Sequence, residues 1–269
     1  MQYKVVFTDL DGTLLSQKKD ISSYSEELLK RLQKKVPVVL VSARMPKSMK
    51  YIQHQINGRE QPLICYNGAL IIHQNSIISS KTISPEIAGN IYRNALSQQV
   101  KLGLYHQDNW YAELATGRIE KEIFNTKTTP ELTALEPILE KHQHSNTGFH
   151  KIMSMGPKNQ LDTFYEWLTV HFSDALQIYR SNDTVIEISP KSASKLMGIK
   201  IVLHEIFKVP LSSAIAFGDN YNDIEMIANV GHGVAVANAR PEVKQVANAI
   251  AADYSQDGVT KYLKQLFNL

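Results

Sequence analysis

The sequence predicts an α/β fold in which a doubly wound parallel sheet carries an inserted, smaller α+β domain. Runs of consecutive apolar residues at 5–7, 36–41 and 214–217 are typical of strands buried on both faces of a parallel sheet. A helical spacing of apolar residues separates the first two runs, as in a βαβ unit. From about residue 81 to residue 187 the pattern changes to alternating polar and apolar residues, which indicates an antiparallel sheet with one wet face.

Composition narrows the classes of protein that fit. The 269 residues are 43% hydrophobic and 20% charged, which is typical of a folded globular protein. The net charge of +3 comes from scattered basic residues, so we expect no nucleic-acid partner. Neither a leader-like N-terminus nor a long apolar span is present, so we expect no membrane partner. The one cysteine, Cys65, allows no internal disulfide and favours a cytoplasmic location.

The predicted elements follow from apolar periodicity and from turn residues. Asn67-Gly68 predicts a two-residue hairpin turn between strands at 63–66 and 69–72. Pro241 and Asp257 each mark the start of a late helix. The other predicted helices lie at 22–34, 47–55, 85–98, 130–141, 159–172, 196–207 and 224–228, and the other strands at 102–106, 110–114, 150–155, 176–180, 184–188 and 233–236.

Two carboxylates directly follow the first predicted strand. If Asp9 and Asp11 continue the strand, their side chains lean to the same side, because strand side chains alternate with a period of two. Two like charges this close need a cation between them or a proton on one of them, and Mg²⁺ prefers such oxygen ligands. An ordinary solvated Asp-Gly turn is the alternative interpretation. Ser42 follows the second strand, so all three residues are predicted to meet at one sheet edge.

The stretch Asp9-Leu10-Asp11-Gly12-Thr13 resembles the opening DxDGT/S signature of the haloacid dehalogenase superfamily. The resemblance implies that Asp9 is a nucleophile that becomes an aspartyl-phosphate and that Asp11 is the general acid/base. It also implies that Ser42 hydrogen-bonds the transferring phosphoryl group. Ala43 stands where many relatives have Gly, but it keeps the backbone amide that contacts phosphate. Arg44 either meets substrate phosphate or lies on the surface.

Two further signatures of the family match later in the chain. Lys195 fits the lysine that neutralises the phosphoryl charge, although Leu196 stands where relatives usually have Gly, and Lys191 and Lys200 are competitors. The Gly218–Asp223 stretch fits the acidic loop that completes a Mg²⁺ site. In that site Asp219 is a direct ligand, while Asp223 is either a ligand or an outer acceptor. The predicted metal residues are Asp9, Asp11 (through its backbone carbonyl), Asp219, Asn222 and Asp223.

The position of the insertion resembles the C2B cap of the Cof-like phosphatases. The resemblance implies a catalytic core at 1–81 and 188–269 and a cap at 82–187. Relatives also have an Asn-Gly at 67–68 and a GNA near Asn238, so both asparagines are candidates for substrate contact. The predicted substrate-binding residues are Ser42, Ala43, Arg44, Asn67, Lys195 and Asn238. The candidates on the cap are Tyr105, His106, Trp110, Tyr111, Arg118 and Arg180.

Together these features predict a Mg²⁺-dependent phosphatase that acts on small phosphorylated metabolites, with sugar phosphates expected first. A phosphomutase with the same nucleophile is an alternative within the enzymes. A phosphate-accepting regulatory module of the receiver type is the alternative outside them, but receivers are shorter and need no cap. The chain contains no GxxxxGK[ST] motif, so P-loop chemistry is not expected.

Overall fold

A computed structural model of the chain describes residues 3–74 and 76–269. The chain divides into two compact units, one formed by Met1–Ser79 and Ser194–Leu269 and the other, which is inserted, by Ser80–Ala193. Strands and helices alternate in the first part of the chain: β1 (Val5–Thr8), α1 (Ser23–Leu32), β2 (Val38–Val41), α2 (Lys47–Gln55), β3 (Leu63–Cys65), β4 (Leu70–His73) and β5 (Ser76–Ser80).

The inserted unit and the return to the first unit add the remaining elements. The middle of the chain contains α3 (Pro85–Ser97), β6 (Lys101–His106), β7 (Asn109–Ala112), α4 (Gly117–Thr126), β8 (Glu131–Leu132), α5 (Leu135–His144), β9 (Lys151–Met155), α6 (Lys158–Phe172), β10 (Leu176–Asn182) and β11 (Val185–Pro190). The last part contains α7 (Lys195–Val202), β12 (Ala214–Gly218), α8 (Ile224–Asn229), β13 (His232–Val236), α9 (Pro241–Val246), β14 (Ala249–Ala251) and α10 (Gly258–Phe267).

The sheet of the first unit brings the ends of distant strands to one edge. Its eight strands lie in the order β14-β13-β12-β1-β2-β3-β4-β5. The pairs from β14 to β3 are parallel, and β4 runs antiparallel to β3. Thr8 at the end of β1 pairs with Leu40 on one side and Phe217 on the other. Residues that follow these three positions therefore lie at the same carboxyl edge, where open α/β sheets bind ligands.

Continuous burial explains the apolar runs of this sheet. All four residues of β1, all four of β2 and all five of β12 are buried. A strand covered on both faces has no wet side, so its sequence shows no alternation. The predicted doubly wound parallel sheet with an inserted α+β domain is confirmed.

The inserted unit has its own sheet and its own apolar core. Six strands lie in the order β10-β11-β9-β6-β7-β8, and every pair is antiparallel except β7 with β8. Leu102 and Leu104, two residues apart on β6, belong to one buried apolar cluster with Ile91 of α3, Leu135 of α5 and Phe164 of α6. The period of two directs alternate side chains of the sheet to this helix-covered face.

Three local features differ from the predicted elements. The hairpin connection is a 3₁₀ turn at Tyr66–Gly68 rather than a two-residue turn, with φ of 51° at Tyr66, 54° at Asn67 and 92° at Gly68. The helix predicted at 130–141 begins only at Leu135, because Glu131–Leu132 pairs with β7. The helix predicted at 196–207 ends as a π-helical turn at Leu203–Phe207. No helix among the described residues is long and apolar enough to cross a membrane.

Candidate active site

The site is centred on a buried ammonium group between two carboxylates. Lys195, the first residue of α7, is 1% exposed, and its Nζ donates to Asp9 Oδ1 at 2.7 Å and to Asp223 Oδ1 at 2.5 Å. Ser194 caps α7 by accepting the Met197 N–H at 3.2 Å, which fixes where the helix starts. The lysine therefore joins the end of β1 to the loop after β12.

The loop after β12 holds the Asp223 carboxylate from its other side. Asp223 Oδ2 accepts the backbone N–H groups of Asp219 at 2.9 Å and Asn220 at 3.0 Å. A Cβ at Gly218 would lie 2.5 Å from Asp223 Cβ, so only glycine leaves room for this close approach. Because both oxygens are occupied, Asp223 is held rigidly beside Lys195.

Asp219 completes a group of three carboxylates. Its Oδ1 accepts the Thr13 hydroxyl at 2.8 Å, which ties the loop after β12 to the loop after β1. Gly12 has φ of +82°, and a Cβ there would lie 2.6 Å from Asp219 Oδ2. One carboxylate oxygen from each of Asp9, Asp219 and Asp223 lies within 4.8 Å of the others. The three side chains thus present hard oxygen atoms to a common space.

Burial and like charge shape the electrostatics of this group. Burial raises the pKa of Asp9 well above its usual range, with the Lys195 charge opposing the rise and the two other carboxylates adding to it. Burial and Asp223 raise the pKa of Asp219 to about 6. Burial alone would lower the pKa of Lys195, but Asp223 and Asp9 outweigh it and raise that pKa. One ammonium group faces three carboxylates, so the group fits a hard divalent cation such as Mg²⁺.

Asp11 has different partners from Asp9. Arg44 Nε donates to Asp11 Oδ2 at 2.6 Å and Arg44 Nη2 to Asp11 Oδ1 at 2.8 Å, and Lys19 Nζ adds a bond to Oδ1 at 3.0 Å. Burial alone would raise the pKa of Asp11, but the hydrogen bonds and charges of Arg44 and Lys19 outweigh it and lower the pKa. Arg44 is 4% exposed. Arg44 is buried and ion-paired with Asp11, so the alternative that it lies on the surface is wrong, and its contact with substrate phosphate stays a prediction.

The loop after β2 is built on backbone hydrogen bonds. The Ser42 N–H donates to the Ile64 carbonyl, and the Ser42 carbonyl accepts the Asn67 N–H, each at 2.9 Å. Ser42 Oγ accepts the Arg44 N–H at 3.3 Å. Ser42 is buried, and Ala43 between it and Arg44 is half-buried. The loop therefore places a serine hydroxyl and several amides at the carboxyl edge of the sheet.

The three predicted asparagines hold loops together. Asn222 Nδ2 donates to Asn67 Oδ1 at 3.1 Å, joining the loop after β12 to the hairpin after β3. Asn238 Nδ2 donates to the Gly12 carbonyl at 2.8 Å, and its Oδ1 accepts the Tyr254 N–H at 3.1 Å. Asn222 thus contacts Asn67, and Asn238 supports the backbone of the loop that follows β1.

Sequence reasoning missed two contacts in this site. The opening motif contains Thr13 but assigns it no role, although its hydroxyl bonds Asp219. The available signal was that Thr13 follows Asp9 and Asp11 closely in the chain and so lies at the same sheet edge. Lys19 carried no signal, because a lysine in a polar loop after a strand is usually a solvated charge. Its bond to Asp11 arises only when the loop folds back.

Known proteins resemble this chain over almost its whole length. A family model described as haloacid dehalogenase-like hydrolase matches residues 6–263. A protein of Haemophilus influenzae is 32% identical over 269 residues, covering 99% of both chains. The 5-amino-6-(5-phospho-D-ribitylamino)uracil phosphatase YitU of Bacillus subtilis is 24% identical and covers 98% of both. A haloacid dehalogenase-like hydrolase of Bacteroides thetaiotaomicron has a similar structure, with a TM-score of 0.89 at 25% identity, covering 98% of this chain and 100% of the other.

Proposed function

This chain belongs to the haloacid dehalogenase-like hydrolases and is a phosphatase of that family, and we propose that it hydrolyses phosphate monoesters through a covalent intermediate on Asp9. The observation that carries the proposal is the position of Lys195 Nζ between Asp9 and Asp223. The ammonium group offsets the negative charge of Asp9, which directly follows the central strand β1. A phosphate-accepting regulatory module is not favoured, because the family and the named relative are enzymes.

In the proposed reaction Asp9 attacks phosphorus and the ester P–O bond breaks, while the leaving alkoxide takes a proton from the protonated form of Asp11. Because Arg44 and Lys19 lower the pKa of Asp11, this protonated form is the minor one before substrate binds. Asp11 then takes a proton from water, which attacks the phosphorus of the acyl phosphate, releases inorganic phosphate and restores the Asp9 carboxylate. Ser42, the Ala43 amide and Lys195 are assigned to the oxygens of the transferring group. Arg44 is assigned to the positioning of Asp11.

The donor set also supports a Mg²⁺ cofactor. Asp9 and Asp219 are proposed as carboxylate ligands of the ion, and the Asp11 backbone carbonyl is proposed as a third ligand. Asp223 already accepts three hydrogen bonds, from Lys195, Asp219 and Asn220. It is therefore assigned, together with Asn222, to orienting the ligands of the ion rather than to binding the ion directly. When bound, Mg²⁺ supplies positive charge that offsets the negative charge of the phosphoryl group.

Small sugar-type phosphates are proposed as substrates, with nucleotides and pyridoxal phosphate next. The related YitU supports this proposal, because its name describes a phosphatase of a phosphorylated ribityl compound. The proposed division is a catalytic core at 1–81 and 188–269 and a cap at 82–187, with Asn67 and Asn238 beside the substrate. The proposed location is the cytoplasm, which agrees with the presence of a single cysteine, the buried Cys65.

A phosphate-release screen over phosphorylated metabolites tests the proposal. We expect release with Mg²⁺, loss of release with excess chelator, and no turnover by Asp9→Asn. Asp174→Asn is the matched control, because Asp174 is an exposed carboxylate of the inserted unit. Normal turnover by Asp9→Asn would refute the nucleophile assignment. A hexose 1-phosphate converted to the 6-phosphate without phosphate release would favour the phosphomutase.

A further inference from the structure

A turn in the loop after β1 contacts helix α2. Two backbone bonds of 2.9 Å close this turn, from the Ser16 N–H to the Asp20 carbonyl and from the Lys19 N–H to the Ser16 carbonyl. Lys19 has a φ of +60°, in the left-handed region that side chains disfavour. Tyr51, in the middle of α2, donates its hydroxyl proton to the Lys19 carbonyl at 3.0 Å. This bond connects the turn to the helix that follows β2.

The Tyr51 hydroxyl is also a hydrogen-bond partner of Arg44. Burial alone would lower the pKa of Arg44, but the hydrogen bonds and charge of Asp11 outweigh it, with a further contribution from Tyr51, and the pKa is raised. A phenol hydroxyl can donate one hydrogen bond and accept another, whereas a guanidinium group only donates. The Tyr51 oxygen therefore accepts from Arg44 while its proton goes to the Lys19 carbonyl.

Tyr51 thus holds both of the cationic residues that bind Asp11. Arg44 Nη2 and Lys19 Nζ share Asp11 Oδ1, at 2.8 Å and 3.0 Å. Arg44 follows β2 and Lys19 follows β1, so the position of one relative to the other depends on how the two loops are joined. The Tyr51 hydroxyl joins the two residues independently of Asp11.

We propose that Tyr51 is a positioning residue, which orients the Asp11 carboxylate through Arg44 and Lys19. The proposal rests on the proposed function, in which Asp11 protonates the leaving alkoxide. A general acid has to lie within hydrogen-bond reach of the oxygen that it protonates, so a small displacement slows the reaction. Substrate binding does not depend on that proton transfer. Loss of the Tyr51 hydroxyl should therefore change kcat and leave KM as it is.

Tyr51→Phe tests this role, because it keeps the ring in α2 and removes only the hydroxyl. For the alkyl phosphate that the release screen ranks first, we expect kcat to fall roughly 3- to 10-fold, the effect of about one hydrogen bond, with KM unchanged. The first release of p-nitrophenol from p-nitrophenyl phosphate should change less than about twofold, since that leaving group needs no proton. Tyr24→Phe, an exposed tyrosine of α1, is the matched control and should leave both reactions unchanged.

A double variant separates positioning from a general loss of structure. In the Arg44→Lys chain the two-bond contact with Asp11 is already lost, so adding Tyr51→Phe should lower kcat by less than about twofold further. Thermal unfolding confirms that each variant is folded. Equal losses of kcat on both esters, or the full loss repeated in the Arg44→Lys chain, would overturn the proposal.

Crystal structures of the unmodified chain and of Tyr51→Phe give a readout that needs no turnover. We expect the turn that contains Lys19 to move and the Asp11 carboxylate to rotate away from Arg44. An unmoved Asp11 in the Tyr51→Phe crystal would overturn the positioning role. An absence of phosphate release from every ester, together with a rotated Asp11, would refute only the proposed function.

Discussion

Arg44 donates hydrogen bonds to both carboxylate oxygens of Asp11, from Nε to Oδ2 at 2.6 Å and from Nη2 to Oδ1 at 2.8 Å. Two parallel bonds from a planar guanidinium fix the direction of the carboxylate as well as its charge. Arg44 is buried and Asp11 is not fully so, with 37% of its side chain exposed. The arginine is therefore the fixed partner, and its two hydrogen bonds set the orientation of the Asp11 side chain.

Arg44→Lys should slow the reaction by disturbing Asp11, because an ammonium group cannot form both bonds. We expect turnover of alkyl phosphates to fall roughly 10- to 100-fold, which is less than the roughly 100- to 10,000-fold that a general acid or base contributes in full. Release of p-nitrophenol from its phosphate should fall much less, since that leaving group needs no proton. A stopped-flow comparison of the two esters measures the difference. Lys19→Met removes only the longer, more exposed bond and should have a smaller effect. Equal losses on both esters would contradict a positioning role.

Lys195→Met should remove activity and destabilise the fold. Its ammonium group lies between two carboxylates that are 7% and 0% exposed, so its loss leaves buried negative charge unpaired. Breaking such a pair costs about 3–5 kcal/mol of unfolding free energy. Urea unfolding and phosphate release measure the two effects. Lys200→Met, an exposed position on the same helix, should change stability by less than about 0.5 kcal/mol. An active, stable Lys195→Met protein would show that the pair has no such role.

Gly12→Ala should weaken both the fold and the site. The φ of +82° disfavours any side chain, and the added Cβ would meet Asp219 Oδ2 at 2.6 Å. We expect a loss of about 1–3 kcal/mol in unfolding free energy and a displaced Asp219. Gly117→Ala is the matched control, because a Cβ there meets nothing within 4 Å in the first turn of α4. Thermal unfolding should rank the control at or above the unmodified chain and Gly12→Ala below it; the reverse order would rule out the predicted clash.

His150 should make the inserted unit less stable in acid. Its Nδ1 accepts the Gln107 N–H at 3.2 Å, so the neutral ring carries its proton on Nε2, 3.0 Å from Ser80 Oγ. Burial, assisted by His106, lowers the pKa of His150 from 6.5 to about 3. The unfolded chain therefore takes up a proton first as pH falls, and stability that is complete above pH 6.5 is lost progressively toward pH 3.

The measurement is the unfolding free energy in urea at two pH values. Between about pH 7 and pH 5 this single group should cost about 2 kcal/mol, and His150→Gln should lose that much less than the unmodified chain. His204→Gln, whose side chain is 80% exposed in the parent chain, is the control and should follow the parent curve. A His150→Gln curve parallel to the parent curve would show that the group does not titrate as described.

Local pattern was sufficient for the sheet and for the position of the acidic and hydroxyl residues at its edge. Each apolar run became a buried strand, and the acidic or hydroxyl residues that follow β1, β2 and β12 lie at one edge because parallel neighbours end together. The meeting of Asp9, Asp219 and Asp223 could thus be anticipated from residues more than two hundred positions apart.

What the chain by itself determined, then, was which residues stand at the edge of the sheet, because strand period and strand ends are short-range properties. Only the tertiary structure decided how they are paired: Arg44 with Asp11, Lys195 between Asp9 and Asp223, and Asn222 with Asn67. Several cationic side chains and several carboxylates lie at that edge, and the sequence pattern is compatible with more than one way of pairing them. Which side chains pair depends on the distances and the burial that arise when the loops pack. The periodicity of the sequence gives no information about either.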